Sequence, residues 1–284
     1  MRLDGRRESD NVEDRRGRGM GGKATLGIGG LIITGLIVWL MGGNPLDVVT
    51  QQVSQSTQQE GTYVPTAEEE EAATFSKRIL AGTEDVWTEV FRQNGLTYTP
   101  PKMVLFSGGV QSGCGNASAA TGPFYCSADQ ALYIDLSFFK QMQNQLDAGG
   151  DFAYAYVIAH EVGHHVQHLL GTLDKVHREQ QKVSEKESNQ LSVRLELQAD
   201  YYAGVWAYHD NKNFMSIEDG DIEEGLNAAS QIGDDRLQMQ AQGYIVPDSF
   251  NHGTSAQRAR WLKRGLQSGN LADGDTFSIP FSQL

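Results

Sequence analysis

The sequence predicts an α+β fold, mainly helical with a small β-sheet, preceded by a single transmembrane helix. Three observations predict it. Apolar residues recur at helical spacing through 72–94 and 152–170, and helical patterning continues through 172–210 and 254–267. Two short apolar runs, 103–106 and 130–136, have the length of strands. Residues 24–43 carry no charge over about 30 Å of helix, the thickness of a bilayer's hydrocarbon core.

Composition narrows the partners. The 284 residues are 39% hydrophobic and 21% charged, as in an ordinary globular protein. The formal net charge of −13 argues against nucleic acid, whose phosphates need clustered Lys and Arg.

Residues 1–23 mix Arg2, Arg6, Arg7, Arg15, Arg16, Arg18 and Lys23 with Asp4, Glu8, Asp10, Glu13 and Asp14. They lack apolar periodicity and read as a disordered tail. The uncharged run 24–43 follows, with Trp39 near its far end as an interfacial anchor. Its glycines suit a membrane helix better than a helix in water. Residues 40–44 offer no small-x-small cleavage site, so the anchor reads as uncleaved. The Arg-rich flank comes first, which places residues 1–23 in the cytoplasm and the rest on the far side. Residues 44–64 are rich in Gln, Ser and Thr and read as a polar linker. The folded domain is expected over 65–284.

Within that domain, Glu68 to Glu71 suit a helix N-terminus, and apolar residues at helical spacing continue to Asn94. Pro100-Pro101 precedes the strand 103–106, and 108–123 is a glycine-rich loop. The strand 130–136 has two readings: a free edge that pairs with an extended peptide, or an ordinary interior strand. A short helix is expected over 138–148. Gly149-Gly150 then breaks the chain, and Asp151 is placed as N-cap of a helix that stops at Gly171. Polar turns are expected between the helical stretch ending near 210 and the last helix. Cys114 and Cys126 are the two cysteines. A four-cysteine metal site is therefore excluded. Outside the cytoplasm the pair would close a small disulfide loop; otherwise they are two small core residues.

The helix 152–170 contains His160-Glu161-Val162-Gly163-His164. Histidines four apart on a helix share a face with about 6 Å of rise between them, close enough for one metal ion. The glutamate beside the first histidine can act on a water at that ion. A catalytic zinc usually has three protein ligands. Gln167 and Leu170 stand where a longer H-E-x-x-H-x-x-G-x-x-H pattern needs glycine and histidine, so that class fails. His168 lies about 12 Å along the helix from His160, too far to share an ion. Glu196 and Asp200 are four apart on a later helical stretch and face one way. This E-x-x-x-D after H-E-x-x-H resembles the thermolysin-like, gluzincin arrangement. The resemblance implies Glu196 as third ligand and Asp200 as the hydrogen-bond partner that fixes the His160 tautomer. Glu179, Glu185 and Glu187 are the competing carboxylates if 196 and 200 form only a solvated face.

A wider resemblance covers nearly the whole chain. The anchor after an Arg-rich start, 122–126, 133–139, 160–167, 196–200 and 248–255 together resemble the bacterial putative neutral zinc metallopeptidase family. It implies a zincin-like, membrane-anchored zinc endopeptidase acting on peptide or protein substrates. With the charge pattern, it places the chain as a single-pass inner-membrane protein whose catalytic domain is periplasmic or extracellular. In the mechanism expected, zinc at His160, His164 and Glu196 activates water and Glu161 is the general base. His252 is a candidate oxyanion donor, with Tyr201 or Tyr202 behind it; a surface or capping role is the competing reading of His252. The alternative function is a catalytically silent, anchored binding or scaffold protein.

Overall fold

A computed structural model describes residues 1–17 and 63–284. The expected anchor at 24–43 and most of the linker at 44–64 lie outside the described residues. Among the described residues no helix is long and apolar enough to cross a membrane. The fold is mixed α and β, mostly helical with a small sheet, as expected.

Helix α1 (Ala67–Gln93) starts where Thr66 and Glu69 form a reciprocal capping box, each side chain bonding the other's backbone N–H. Its Ile79, Leu80, Val86, Trp87, Val90 and Phe91 are buried at helical spacing. Strands β2 (Lys102–Phe106) and β6 (Ala131–Asp135) then form the parallel centre of a four-stranded sheet, in the order β1 (Val12–Asp14), β2, β6, β5 (Phe124–Cys126). Strand β1 flanks β2 in parallel, and β5 flanks β6 antiparallel. Both faces of β2 and β6 are covered, which explains their continuous apolar runs. Met103, Leu105, Leu132 and Ile134 enter the main core. Val104, Phe106, Ala131 and Tyr133 enter a second cluster on the opposite face. Strand β6 is thus interior, paired on both sides, and the free-edge reading of 130–136 is corrected.

The segment expected as glycine-rich loop holds a hairpin, β3 (Gly109–Ser112) and β4 (Gly115–Ser118). Cys114 at its tip is disulfide-bonded to Cys126 of β5, with Cα atoms 5.8 Å apart. Helix α2 (Ser137–Gln145) leads to the central helix α3 (Asp151–Leu169). The N-cap of α3 is Gly150, with φ +120°, rather than Asp151, which is the first helical residue. The stretch 172–210 is two helices, α4 (Thr172–Gln180) and α5 (Glu185–Phe214). A capping box between Ser184 and Glu187 restarts the chain, a pattern readable in the sequence. The polar region expected as turns contains α6 (Asp221–Gln231) and α7 (Asp234–Gln242) before α8 (Ser255–Ser268).

Residues 1–17 correct a second expectation. They are not a disordered tail but an ordered arm that includes β1 and packs on α1 and on the C-terminal end of α5. Composition hid this, because the arm is held by ion pairs rather than by an apolar stripe.

Candidate metal centre

Helices α3 and α5 cross at Gly163. A Cβ built there would lie 2.9 Å from the Ala199 carbonyl oxygen and 3.1 Å from its Cα. Glycine inside a helix costs about 1 kcal/mol relative to alanine, and here its missing side chain lets two backbones touch. That contact brings Glu196 of α5 over the two histidines of α3. Gly163→Ala is expected to push the helices apart, destabilise the fold by about 1–3 kcal/mol and weaken zinc binding. Competition against a chromophoric chelator measures the second effect; unchanged affinity would contradict this role for the crossing.

The donors converge. His160 Nε2 lies 3.2 Å from Glu196 Oε2, and His164 Nε2 lies 3.4 Å from Glu196 Oε1. The three candidate ligand atoms lie within 4.8 Å of one another. Each imidazole has its other nitrogen fixed. His160 Nδ1–H donates to Asp200 Oδ1 at 2.8 Å, and His164 Nδ1–H donates to Gln167 Oε1 at 2.9 Å. Gln167 is oriented in turn, because its amide donates to the Leu195 carbonyl at 2.7 Å and to Gln198 at 3.1 Å. Both Nε2 atoms therefore face the Glu196 carboxylate around one point, a group of three donors that could hold a metal ion.

Electrostatics agree with a cation at that point. Burial opposes charge on His160, yet Asp200 and Glu196 outweigh it and push its pKa up to about 10. Burial likewise works against His164, and Glu196 outweighs it, so its pKa is also raised. Burial works against ionisation of Glu196, but the two histidines hold its carboxyl well below the usual range. Protons on the imidazoles balance these carboxylates; a dication would replace them. A second acidic group, Asp151, Asp221 and Glu224, differs in lying against the Met1 α-ammonium, which pairs with Asp151 and Asp221.

Glu161 is 8% exposed beside His160, and burial raises its carboxyl against the pull of both histidines. A raised carboxyl suits proton transfer near neutrality. His252 is 43% exposed at its side chain and is held by Asp234 at the start of α7. Asp234 Oδ1 accepts from His252 Nδ1–H at 3.1 Å, while Oδ2 accepts the backbone N–H groups of Asn251, His252 and Gly253. Burial lowers the His252 pKa, but the Asp234 hydrogen bond and the Glu196 charge outweigh it and raise it. The other oxyanion candidates are corrected. The Tyr201 hydroxyl donates to the Asn270 carbonyl, and Tyr202 is buried edge-on against Trp87. His165 donates to the Thr99 carbonyl and accepts from the Tyr125 hydroxyl, away from the donor cluster. His168 lies 3.6 Å from Asp174 and is likewise outside it.

Sequence reading missed Arg258 on α8. Its Nε and Nη2 donate to both oxygens of the fully buried Asp200 at 2.9 and 3.0 Å, and Nη2 also reaches the Tyr156 hydroxyl at 3.2 Å. The Tyr156 hydroxyl donates to Asp200 at 2.6 Å. Helices α5 and α8 approach closely enough for this because Gly204 and Gly265 face each other. Asp234, also missed, opens a helix at Gly233-Asp234, a start signal available in the sequence.

Comparisons with known proteins show the chain's family. The uncharacterized Escherichia coli K12 protein YpfJ is 52% identical over 285 residues, covering 98% of this chain and 99% of that protein. The uncharacterized Mycobacterium bovis protein Mb2605 and Mycobacterium tuberculosis H37Rv protein Rv2575 are each 44% identical over 191 residues, 64% of both chains. No solved structure matches. The family model described as "Putative neutral zinc metallopeptidase" matches residues 1–277, from the N-terminal arm through α8. The chain belongs to the putative neutral zinc metallopeptidase family.

Proposed function

We propose that this chain is a membrane-anchored zinc endopeptidase whose metal is held by His160, His164 and Glu196. The observation that carries the proposal is the convergence of two imidazole Nε2 atoms and one carboxylate, each imidazole fixed from behind, with Glu161 alongside. Zinc in that position supplies Lewis-acid activation of water and of the scissile carbonyl.

The chain's own groups do the rest. Asp200 keeps the His160 Nδ1 protonated and its Nε2 free, and Gln167 does the same for His164. Glu161 takes a proton from the attacking water and delivers it to the leaving amine. His252, oriented by Asp234, donates to the oxygen that gains charge in the tetrahedral transition state. Its raised pKa keeps that ring protonated to higher pH than an isolated histidine. His252→Ala is expected to lower kcat by about a hundredfold or more while zinc content stays unchanged. Steady-state kinetics with metal analysis checks this, and wild-type kcat in the variant would remove His252 from the reaction.

Residues 24–43 are the proposed anchor, and the domain is proposed to lie outside the cytoplasm. The Cys114–Cys126 disulfide supports the second point, since such bonds persist in oxidising compartments. Cleavage of a peptide library, repeated after chelation and after zinc is restored, tests the function. Cleavage lost and regained with zinc is the expected result. Bound zinc without cleavage of any peptide would favour the silent scaffold instead.

A further inference from the structure

Among the described residues, the arm at 1–17 supplies the partners of two buried carboxylates of the domain. Glu84 on α1 has a side chain only 7% exposed. Among the described residues its carboxylate accepts from Arg7 Nη2 at 2.8 Å, Ser9 Oγ at 2.5 Å and Asn11 Nδ2 at 2.8 Å, all arm groups. Asp210 on α5 has a side chain 1% exposed and is gripped by both terminal nitrogens of Arg6, at 2.7 and 3.3 Å. Arg6 also lies 3.8 Å over the Phe214 ring. In the other direction, the nearly buried Arg16 reaches Glu70 Oε1 at 2.9 Å and the Glu69 carbonyl at 3.0 Å. The backbone joins the sheet as well, with Met103 N–H donating to Asn11 and Arg15 N–H donating to Leu105, both at 2.8 Å.

A buried carboxylate stripped of its partners is strongly destabilising. A topology that holds the arm away from the domain does this twice, at Glu84 and at Asp210, and uncovers the β2 edge. Gly17 of the arm also packs directly against the Tyr63 side chain. One crossing of a bilayer would instead put those two residues on opposite sides of a hydrocarbon core about 30 Å thick.

We propose that the arm is a constitutive part of the peptidase domain in the membrane-bound protein, so that residues 1–17 and 63–284 occupy the same side of the membrane. This replaces the cytoplasmic tail expected from the charge pattern and is independent of the chemistry at the metal centre. It also replaces the single transmembrane crossing expected at 24–43: that stretch remains the proposed anchor, holding the protein to the membrane without carrying the chain once across it.

The test uses the full chain in the membranes of the cells that make it. Arg2 and Glu218 form an ion pair at 3.1 Å, with side chains 66% and 44% exposed, so cysteines at these positions are reachable and leave the core intact. The native cysteines are occupied by their disulfide. Arg2→Cys and Glu218→Cys, as single variants, are expected to react with a membrane-impermeant maleimide under the same conditions, both before or both only after the membrane is opened. The double variant is expected to give an almost complete intrachain product with a short bis-maleimide, identified by mass spectrometry of the joined peptides. Labelling of the two positions from opposite sides overturns the proposal. Same-side labelling without the cross-link overturns constitutive docking, and a product of twice the chain mass overturns docking within one chain.

Discussion

Glu161→Gln is expected to bind zinc as the parent protein does and to lose peptide hydrolysis by about a hundredfold to ten-thousandfold. The substitution keeps the size of the side chain and removes its basicity. Glu161 is not among the three converging ligand atoms, so the metal should stay. Burial raises this carboxyl above the ordinary range, and the histidines at 160 and 164 pull the other way. The result is a base able both to accept a proton from water and to return it to the leaving amine. Paired measurements of zinc stoichiometry and kcat decide the matter. Substantial activity in the zinc-loaded variant would sink the proposed mechanism, and loss of zinc would move Glu161 into the ligand set.

Arg258→Met is expected to destabilise the metal-free protein by about 3–5 kcal/mol, because it strands a charge rather than removing one. Burial alone would raise the Asp200 pKa. The Arg258 guanidinium and His160 outweigh that and hold it below the usual value. With a folded pKa below the unfolded one, Asp200 contributes stability that is present above the unfolded carboxyl pKa and is lost as pH falls through the folded pKa. Methionine fills the space of Arg258 and leaves Asp200 with His160 and Tyr156. A double-mutant cycle isolates this effect. Adding Asp200→Asn to Arg258→Met removes the stranded charge, so the double variant should be more stable than the sum of the single changes predicts. Denaturant unfolding of metal-free protein provides the numbers, and strict additivity would contradict the proposed coupling.

The parts legible in the sequence were those in which local periodicity and chemistry coincide. His160, Glu161 and His164 lie on one helix, so their spacing specifies their relation. Glu196 and Asp200 were accessible because a four-residue interval also has fixed meaning on a helix, and the structure sets both against α3. The central strands announced themselves as short apolar runs. The groups that fix the site from other elements were not legible in this way. Arg258 reaches Asp200 across 58 positions, through a close approach of α5 and α8 that depends on Gly204 and Gly265. Asp234 holds His252 from the start of a short helix that polar composition disguised as a turn. The arm failed to register for a physical reason too. Its binding energy comes from ion pairs with Glu84 and Asp210 and from three residues of strand, none of which leaves a hydrophobic period. Its fragment of β-structure also lies some ninety positions from the strand with which it pairs.

The central claim is that the α3–α5 crossing holds a three-ligand catalytic zinc site. Anomalous diffraction at the zinc edge, from crystals of the zinc-loaded protein, tests it most directly. A single strong peak about 2.0–2.2 Å from His160 Nε2, His164 Nε2 and a Glu196 oxygen, with a fourth position not filled by protein, is the result predicted. A peak elsewhere, or a fourth protein ligand closing the coordination sphere, would contradict the account.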